Sequence, residues 1–212
     1  MTFSILAHDR ATGAFGVATA TGGPAVGSLV PHARAGVGAL ATQGYTNPLY
    51  AFDGLAALEA GQGAEAIVYA LTIADPERER RQLIVMDRTG ATAGWSGSDL
   101  TESVGMQLQT DIAIAGNLLA NSDVVPAMAE GFLRAGGPLE LRLLAALTAG
   151  DVAGGDARGI QSAAIKTYSD QPYPAIDARV DYSLNPLDDL STLLEKIRVG
   201  DYADFVATLP RR

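Results

Sequence analysis

The chain has 212 residues, 48% of them hydrophobic, which is enough to bury a sizeable core in a single domain spanning 1–212. Its formal net charge of -9, with no cluster of lysines or arginines, argues against a nucleic-acid partner and against binding to an anionic membrane surface. The absence of cysteine excludes disulfides, thiolate zinc sites and cysteine nucleophiles.

The N-terminal segment has no basic region followed by an apolar run, so no secretory signal is visible. No apolar stretch reaches the length of a transmembrane helix. We therefore expect a cytoplasmic protein without a membrane partner. Alanine-rich helices and a modest charge favour a homo-oligomer.

The chain begins with a predicted β-hairpin, whose strands cover residues 2–9 and 14–21 around a turn that ends at Gly13. Thr2 directly follows the initiator methionine. If Met1 is removed, Thr2 carries a free α-amine beside its own hydroxyl and provides a base and a nucleophile in one residue. The alternative is an ordinary β-branched residue at the start of a strand.

The register of this hairpin decides which side chains lie beside Thr2. If Asp9 pairs with Ala14, residue 2 lies opposite residue 21 and residue 4 opposite residue 19. That register gathers four hydroxyls next to a flexible glycine pair: Thr2, Ser4, Thr19 and Thr21. We expect Thr19, Thr21, Gly22 and Gly23 to bind the substrate, with the two glycines donating to an oxyanion.

The remaining chain alternates between strands and pairs of helices. Strands are predicted at 26–30, 36–42, 82–87, 91–96, 104–108, 111–115 and 160–168, with a last strand ending near 181, and helices at 49–60, 63–74, 122–135, 138–149 and 187–198. Hairpins dominate, which favours antiparallel sheets, and paired helices favour outer layers. The predicted fold class is α/β, a four-layer αββα sandwich of two mainly antiparallel sheets.

A glycine-rich stretch at 154–162 combines a charge pair, an amide and a hydroxyl. Its glycines permit close approach of the backbone to a ligand, and Arg158 could bind a substrate carboxylate or pair with Asp156. Asp156 and Gln161 are further substrate-binding candidates. The alternative is a surface turn with a local ion pair. It is not a phosphate loop, because it lacks the Lys-Ser/Thr ending.

Two amides also stand at predicted strand ends. Asn117 follows Gly116 where an active-site edge would lie, and its side chain could donate to an oxyanion. The alternative role is that of a turn residue or a helix cap. Gln43 has a weaker claim of the same kind.

The two histidines suggest neither a base nor a metal site. His8 shares the face of Thr2 but lies roughly 20 Å farther along an extended strand, so it cannot act as its base. Two isolated histidines without cysteines make a structural zinc site improbable. We expect His8 and His32 to be structural or exposed, and we expect no metal or cofactor.

Several motifs resemble those of an uncharacterised bacterial family of Ntn-hydrolase-like proteins, within the N-terminal-nucleophile hydrolase superfamily. The motifs lie at 2–5, 33–39, 41–43, 47–48, 116–119 and 154–164, and the resemblance covers nearly the whole chain. It implies the αββα sandwich and an amidohydrolase that uses Thr2.

The same resemblance implies a lysine or arginine near the nucleophile, on a strand some thirty residues downstream. Arg34 is the candidate. A guanidinium stays protonated, so it could lower the pKa of the α-amine or hold an anionic substrate but could not act as a base. The proteasome-like branch also has an aspartate at the end of the second strand. Residues 18–21 contain no acid, which argues against proteasome-like peptidase activity.

The leading hypothesis is a hydrolase of carbon–nitrogen bonds, amide or peptide-like, in a small anionic substrate. Thr2, Arg34 and Asn117 would be catalytic. One alternative is a deaminase of a small enamine or imine acid. Another is a non-catalytic ligand-binding or oligomer-forming protein on the same scaffold. Whether native protein retains Met1 discriminates between them.

Overall fold

The structure is a computed structural model that describes residues 2–100 and 103–212. Two antiparallel sheets stack face to face, and helices cover both outer faces. All strand pairs in the two sheets are antiparallel. The predicted four-layer αββα sandwich is therefore confirmed.

Sheet one has six strands and contains the N-terminal hairpin at its centre. Its spatial order is β10-β9-β2-β1-β8-β7. The strands are β1 (Thr2–Asp9), β2 (Ala14–Thr21), β7 (Gly105–Gln109), β8 (Ile112–Asn117), β9 (Ser162–Tyr168) and β10 (Ile176–Val180).

Sheet two has four strands in the order β3-β4-β5-β6. They are β3 (Pro31–Arg34), β4 (Gly38–Gly44), β5 (Arg81–Asp87) and β6 (Thr92–Ser96).

The helices divide between the two outer faces. Sheet two is covered by α1 (Leu49–Glu59) and α2 (Ala64–Ala74). Sheet one is covered by α3 (Val124–Arg134), α4 (Leu139–Val152) and α5 (Pro186–Arg198), and a short α6 (Asp201–Ala207) follows. Within the described residues, no helix is both long and apolar enough to cross a membrane.

The central strand β1 is buried on both faces. Phe3 and Ile5 pack against the helices over sheet one, whereas Leu6 packs between the sheets. Side chains alternate along a strand, so Thr2 and Ser4 share the inward face of Leu6. Thr2, the first residue of β1, thus lies at one end of the space between the sheets.

The predicted elements need correction at four places. Val26–Ser28 is a 3-10 turn instead of a strand, and β3 begins at Pro31, in the segment expected to be a loop. Val26 and Val30 are both buried, and the N–H of Val30 donates to the carbonyl of Val26, so this apolar spacing belongs to one helical turn. Strand β4 lies two residues later than predicted, and α6 was missed.

Candidate functional site

Thr2 lies between Thr21 of β2 and Asn117 of β8. Residues 2 and 117 are direct partners in the β1–β8 register, and the Thr2 hydroxyl donates to Thr21 Oγ1 at 3.2 Å. Paired residues of antiparallel strands project to the same face, so all three side chains face sheet two. Thr2 is 6% exposed, Thr21 7% and Asn117 3%.

The predicted register of the hairpin is confirmed. Asp9 pairs with Ala14, and Ser4 pairs with Thr19. The hydroxyl oxygens of Ser4 and Thr19 are 2.9 Å apart. The four hydroxyls expected from the sequence therefore lie together on the inward face of sheet one.

Gln43 reaches this group from β4 on the opposite sheet. Its Nε2 donates to the main-chain carbonyl of Thr2 at 3.1 Å, and its Oε1 accepts the hydroxyl of Ser4 at 2.6 Å. The side chain is completely buried. Gln43 therefore ties the backbone at the start of β1 to sheet two, a closer contact than its weak sequence signal suggested.

Gln82, at the start of β5, is a member of the site that the sequence analysis missed. Its Oε1 accepts hydrogen bonds from Gln43 Nε2 at 2.7 Å and from Asn117 Nδ2 at 2.9 Å. It shares a strand face with Ile84 and Met86, which are buried between the sheets. An amide at the inward position of an otherwise apolar strand was the signal that could have revealed it.

The glycine-rich stretch contributes a buried carboxylate beside this group. The Asp156 side chain is fully buried and accepts the N–H of Gly22 at 2.6 Å. It also accepts the main-chain N–H of Arg158 at 3.0 Å and two contacts from its guanidinium, at 3.0 and 3.2 Å. Burial alone would raise the pKa of Asp156, but these donors hold that pKa below its ordinary value.

Asp156 also joins the loops that follow the two strands beside β1. Asp156 forms a β-bridge with Leu119, and the N–H of Ala157 donates to the carbonyl of Leu118 at 3.2 Å. Leu118 adopts a left-handed conformation with φ 48°, which is costly for a leucine and is held by these contacts. Asp156 thus connects the loop after Asn117 to the loop after Thr21.

Replacing Gly22 by alanine should destabilise the chain and displace the loop that follows β2. A Cβ at Gly22 would lie 2.5 Å from the carbonyl oxygen of Gly159 and 2.9 Å from a carboxylate oxygen of Asp156. We expect a loss of about 1–3 kcal/mol in the free energy of unfolding, measured by chemical denaturation. The control is Gly23→Ala, whose Cβ meets nothing within 4 Å and should change stability little. Equal stabilities of the two variants would contradict this account.

Gln161 acts through its backbone. Its N–H donates to the carbonyl of Thr21 at 2.7 Å, and its carbonyl accepts the N–H of Ser183 at 2.9 Å. The next residue, Ser162, donates its hydroxyl to the carbonyl of Gly23 at 2.7 Å. This segment holds the end of β2 in place.

Arg34 does not lie beside Thr2, and that expectation is corrected. Arg34 pairs with Gly38 at the far end of β4, roughly 16 Å along the strand from Gln43. Its guanidinium forms an ion pair with Glu59 at 2.5 Å, at the surface. It is therefore too distant to hold a substrate at Thr2 or to affect the α-amine strongly.

Two further candidates are occupied by other contacts. The N–H of Gly22, expected to face an oxyanion, donates to Asp156. Arg158 is 46% exposed, and its charge is matched by the buried carboxylate of Asp156. The ion pair between Asp156 and Arg158, which was the alternative prediction for this stretch, is therefore present in the structure.

The histidines lie outside this site. His8 stacks on Phe15 with ring centroids 4.4 Å apart, and its Nδ1 is 3.0 Å from a carboxylate oxygen of Asp111. His32 Nε2 lies 3.1 Å from the carbonyl of Leu29, and burial lowers the pKa of His32. Across residues 2–100 and 103–212, no group of three or more His, Asp or Glu side chains could hold a metal ion.

Comparison with solved structures gives a near match over almost the whole chain. The protein SPO2555 from Silicibacter pomeroyi, described as a member of the DUF1028 family, is 36% identical over 99% of this chain and 95% of its own, with a TM-score of 0.93. No curated protein matches the chain.

Two distant structures also align over most of their lengths. Thiobacillus denitrificans BPH, solved with epoxomicin, aligns over 80% of this chain and 98% of its own, with 11% identity and a TM-score of 0.44. Anbu (ancestral beta-subunit) from Yersinia bercovieri aligns over 99% of both chains, with 12% identity and a TM-score of 0.42. At these scores they support no statement about this chain.

The sequence model of one protein family, described as a family of unknown function (DUF1028), matches residues 2–190. The chain belongs to this family.

Proposed function

We propose that this chain, a member of the DUF1028 family, is an N-terminal-nucleophile hydrolase of carbon–nitrogen bonds in a small substrate. The observation that carries the proposal is the placement of Thr2. It is the first residue of the central strand, its hydroxyl lies beside Thr21 and Asn117, and Gln43 fixes its carbonyl. Such a fixed geometry is what a nucleophile requires.

The chemistry starts when Met1 is removed; Met1 itself lies outside the described residues. The free α-amine of Thr2 then takes the proton of its own hydroxyl through a water molecule. Oγ1 attacks the acyl carbon, the carbon–nitrogen bond breaks, and the amine product leaves with that proton. Water then hydrolyses the ester on Oγ1 and regenerates Thr2.

Asn117 is the proposed oxyanion donor. Its side-chain amide donates one N–H to Gln82, and its side chain lies on the strand face that it shares with the Thr2 side chain. An amide donor placed at a developing oxyanion is worth several kcal/mol of barrier. Gly22 is not part of this role, because its N–H is bound to Asp156.

The two arginines that favoured an anionic substrate are not available to bind one beside Thr2. Arg34 lies at the far end of sheet two, and Arg158 is paired with Asp156. The groups around Thr2 that the structure describes are hydroxyls and amides. We therefore propose a small polar substrate recognised by hydrogen bonds.

A second candidate is a binding protein on the same scaffold. The observation that favours it is the burial of Thr2, which is only 6% exposed. In that case Thr2 is an ordinary strand residue, and the protein keeps Met1 and forms no covalent intermediate.

We further propose that the chain is one domain and forms a homo-oligomer. The outer faces of α1 and α2 support association, since each presents apolar side chains that are more than half exposed: Leu49, Phe52, Tyr69 and Ile73.

The test is acylation by a small β-lactone, a strained ester that reacts with an activated hydroxyl. We expect one adduct per chain, located by peptide mass spectrometry on the N-terminal peptide that begins with Thr2. An unmodified chain, or an adduct on another residue, would contradict the proposal.

A further inference from the structure

Gln82 lies where five strands of the two sheets meet. It extends from β5 of sheet two, is completely buried, and contacts residues of β4, β6, β7 and β8. No hydrogen bond joins it directly to Thr2. Gln82 acts on the site by fixing the orientation of the side-chain amides of Gln43 and Asn117.

The orientation of the Gln82 amide is fixed by main-chain carbonyls. Its Nε2 lies 3.0 Å from the carbonyl oxygen of Gly116 and 3.2 Å from that of Gly105, and a third contact reaches Ser96 Oγ at 3.0 Å. A main-chain carbonyl can only accept, so the nitrogen of Gln82 must face these groups. Its Oε1 must therefore face the opposite way.

That oxygen in turn fixes two other amides. Gln43 and Asn117 both approach Oε1 of Gln82, at 2.7 and 2.9 Å, and an oxygen there requires an N–H from each. Both nitrogens are thereby directed towards Gln82. The second N–H of Gln43 then reaches the carbonyl of Thr2, and its Oε1 receives the Ser4 hydroxyl.

We infer that Gln82 is a positioning residue for the site at Thr2. It sets the direction of the Gln43 amide, which holds the Thr2 backbone, and of the Asn117 amide, whose side chain shares a strand face with that of Thr2. Its effect on catalysis rests on the proposed function, whereas its effect on the two amides does not.

The inference explains why an amide and not a carboxylate occupies position 82. A glutamate would present two accepting oxygens, and one of them would face the carbonyls of Gly105 and Gly116 without a proton. Buried acceptors that face each other are unfavourable, so the two neighbouring amides would have to rearrange.

The test compares Gln82→Glu with Gln82→Met, which removes both polar atoms without adding a charge. The matched control is Gln107→Glu on β7, the same change outside these hydrogen bonds. Selective ¹⁵N labelling follows the side-chain amides of Gln43 and Asn117. We expect both resonances to shift and their protons to exchange at least ~10-fold faster in the two Gln82 variants, and to stay unchanged in the control.

The catalytic readout is the rate of β-lactone acylation, separated into the maximal rate and the apparent affinity. We expect the maximal rate to fall by roughly 10- to 100-fold, somewhat less than for loss of an oxyanion donor itself, with little change in affinity. If the amide resonances stay in place, or if they move and the maximal rate stays within about twofold of wild type, the inference is wrong. If the wild-type chain is not acylated at all, the proposed function fails and the amide resonances alone decide the inference.

Discussion

Replacing Thr2 by alanine should abolish acylation by the β-lactone, while Thr2→Ser should retain it. Alanine removes the hydroxyl that we propose as the nucleophile, and loss of a nucleophile in a hydrolase commonly costs on the order of 10³-fold or more in rate. Serine keeps both the hydroxyl and a side chain small enough for methionine removal. The measurement is the fraction of acylated chain against time by intact mass spectrometry.

The control for a general effect on the fold is Thr12→Ala, at the exposed turn of the same hairpin. Within the described part of the chain, the Thr12 side chain bonds to Asp9 and Ala14 of that turn, so this variant should react like wild type. Both Thr2 variants should also melt cooperatively near the wild-type temperature. Acylation of Thr2→Ala at the wild-type rate would place the reactive group elsewhere.

Replacing Asp156 by asparagine should be the most destabilising isosteric change near the site. Each carboxylate oxygen accepts N–H donors: one from the backbone and side chain of Arg158, the other from Gly22 and Arg158. The NH2 group of asparagine would have to face one of these donor pairs. We expect a loss of about 3 kcal/mol in the free energy of unfolding, or about 6–12 °C in Tm for a chain of this size.

The matched control is Asp170→Asn, which removes the charge from an ion pair with Arg211 at the surface. Asp170 and Arg211 are 60% and 63% exposed, and solvent screening leaves such a pair with little effect on stability. Equal destabilisation by the two substitutions would show that the buried position of Asp156 has no special effect.

The stability gap between wild type and Asp156→Asn should also narrow in acid. The hydrogen bonds hold the pKa of Asp156 below its ordinary value in the folded state, so its contribution is complete above the unfolded pKa of about 3.9. It is lost as the pH falls below that value towards the folded pKa. Denaturation curves at neutral pH and below pH 4 test this sign.

The hairpin shows what the sequence could predict. A short turn at residues 10–13 leaves few possible registers, so the partners of Ser4 and Asp9 followed from counting outward, and the hydroxyl group at Thr2 followed from the register. The layer order followed from strands and paired helices in alternating blocks. These features depend on local spacing, which a sequence displays directly.

The positions of Gln82 and Arg34 relative to Thr2 could not be predicted from local sequence spacing, because they depend on how the two sheets pack. Gln82 is far from Thr2 in sequence and approaches it only because sheet two packs across the inward face of sheet one. Arg34 was placed near Thr2 by resemblance to other hydrolases. The β3–β4 hairpin instead directs Arg34 and Gln43 to opposite ends of sheet two.

The mass of the native, untagged protein tests the central claim most directly, because the mechanism needs the free α-amine of Thr2. We predict a mass lower than that of the full 212-residue chain by one methionine residue, and an N-terminal peptide that begins Thr-Phe-Ser. Native protein that retains Met1 would contradict the account, since a Thr2 in peptide linkage has no free amine to act as its base.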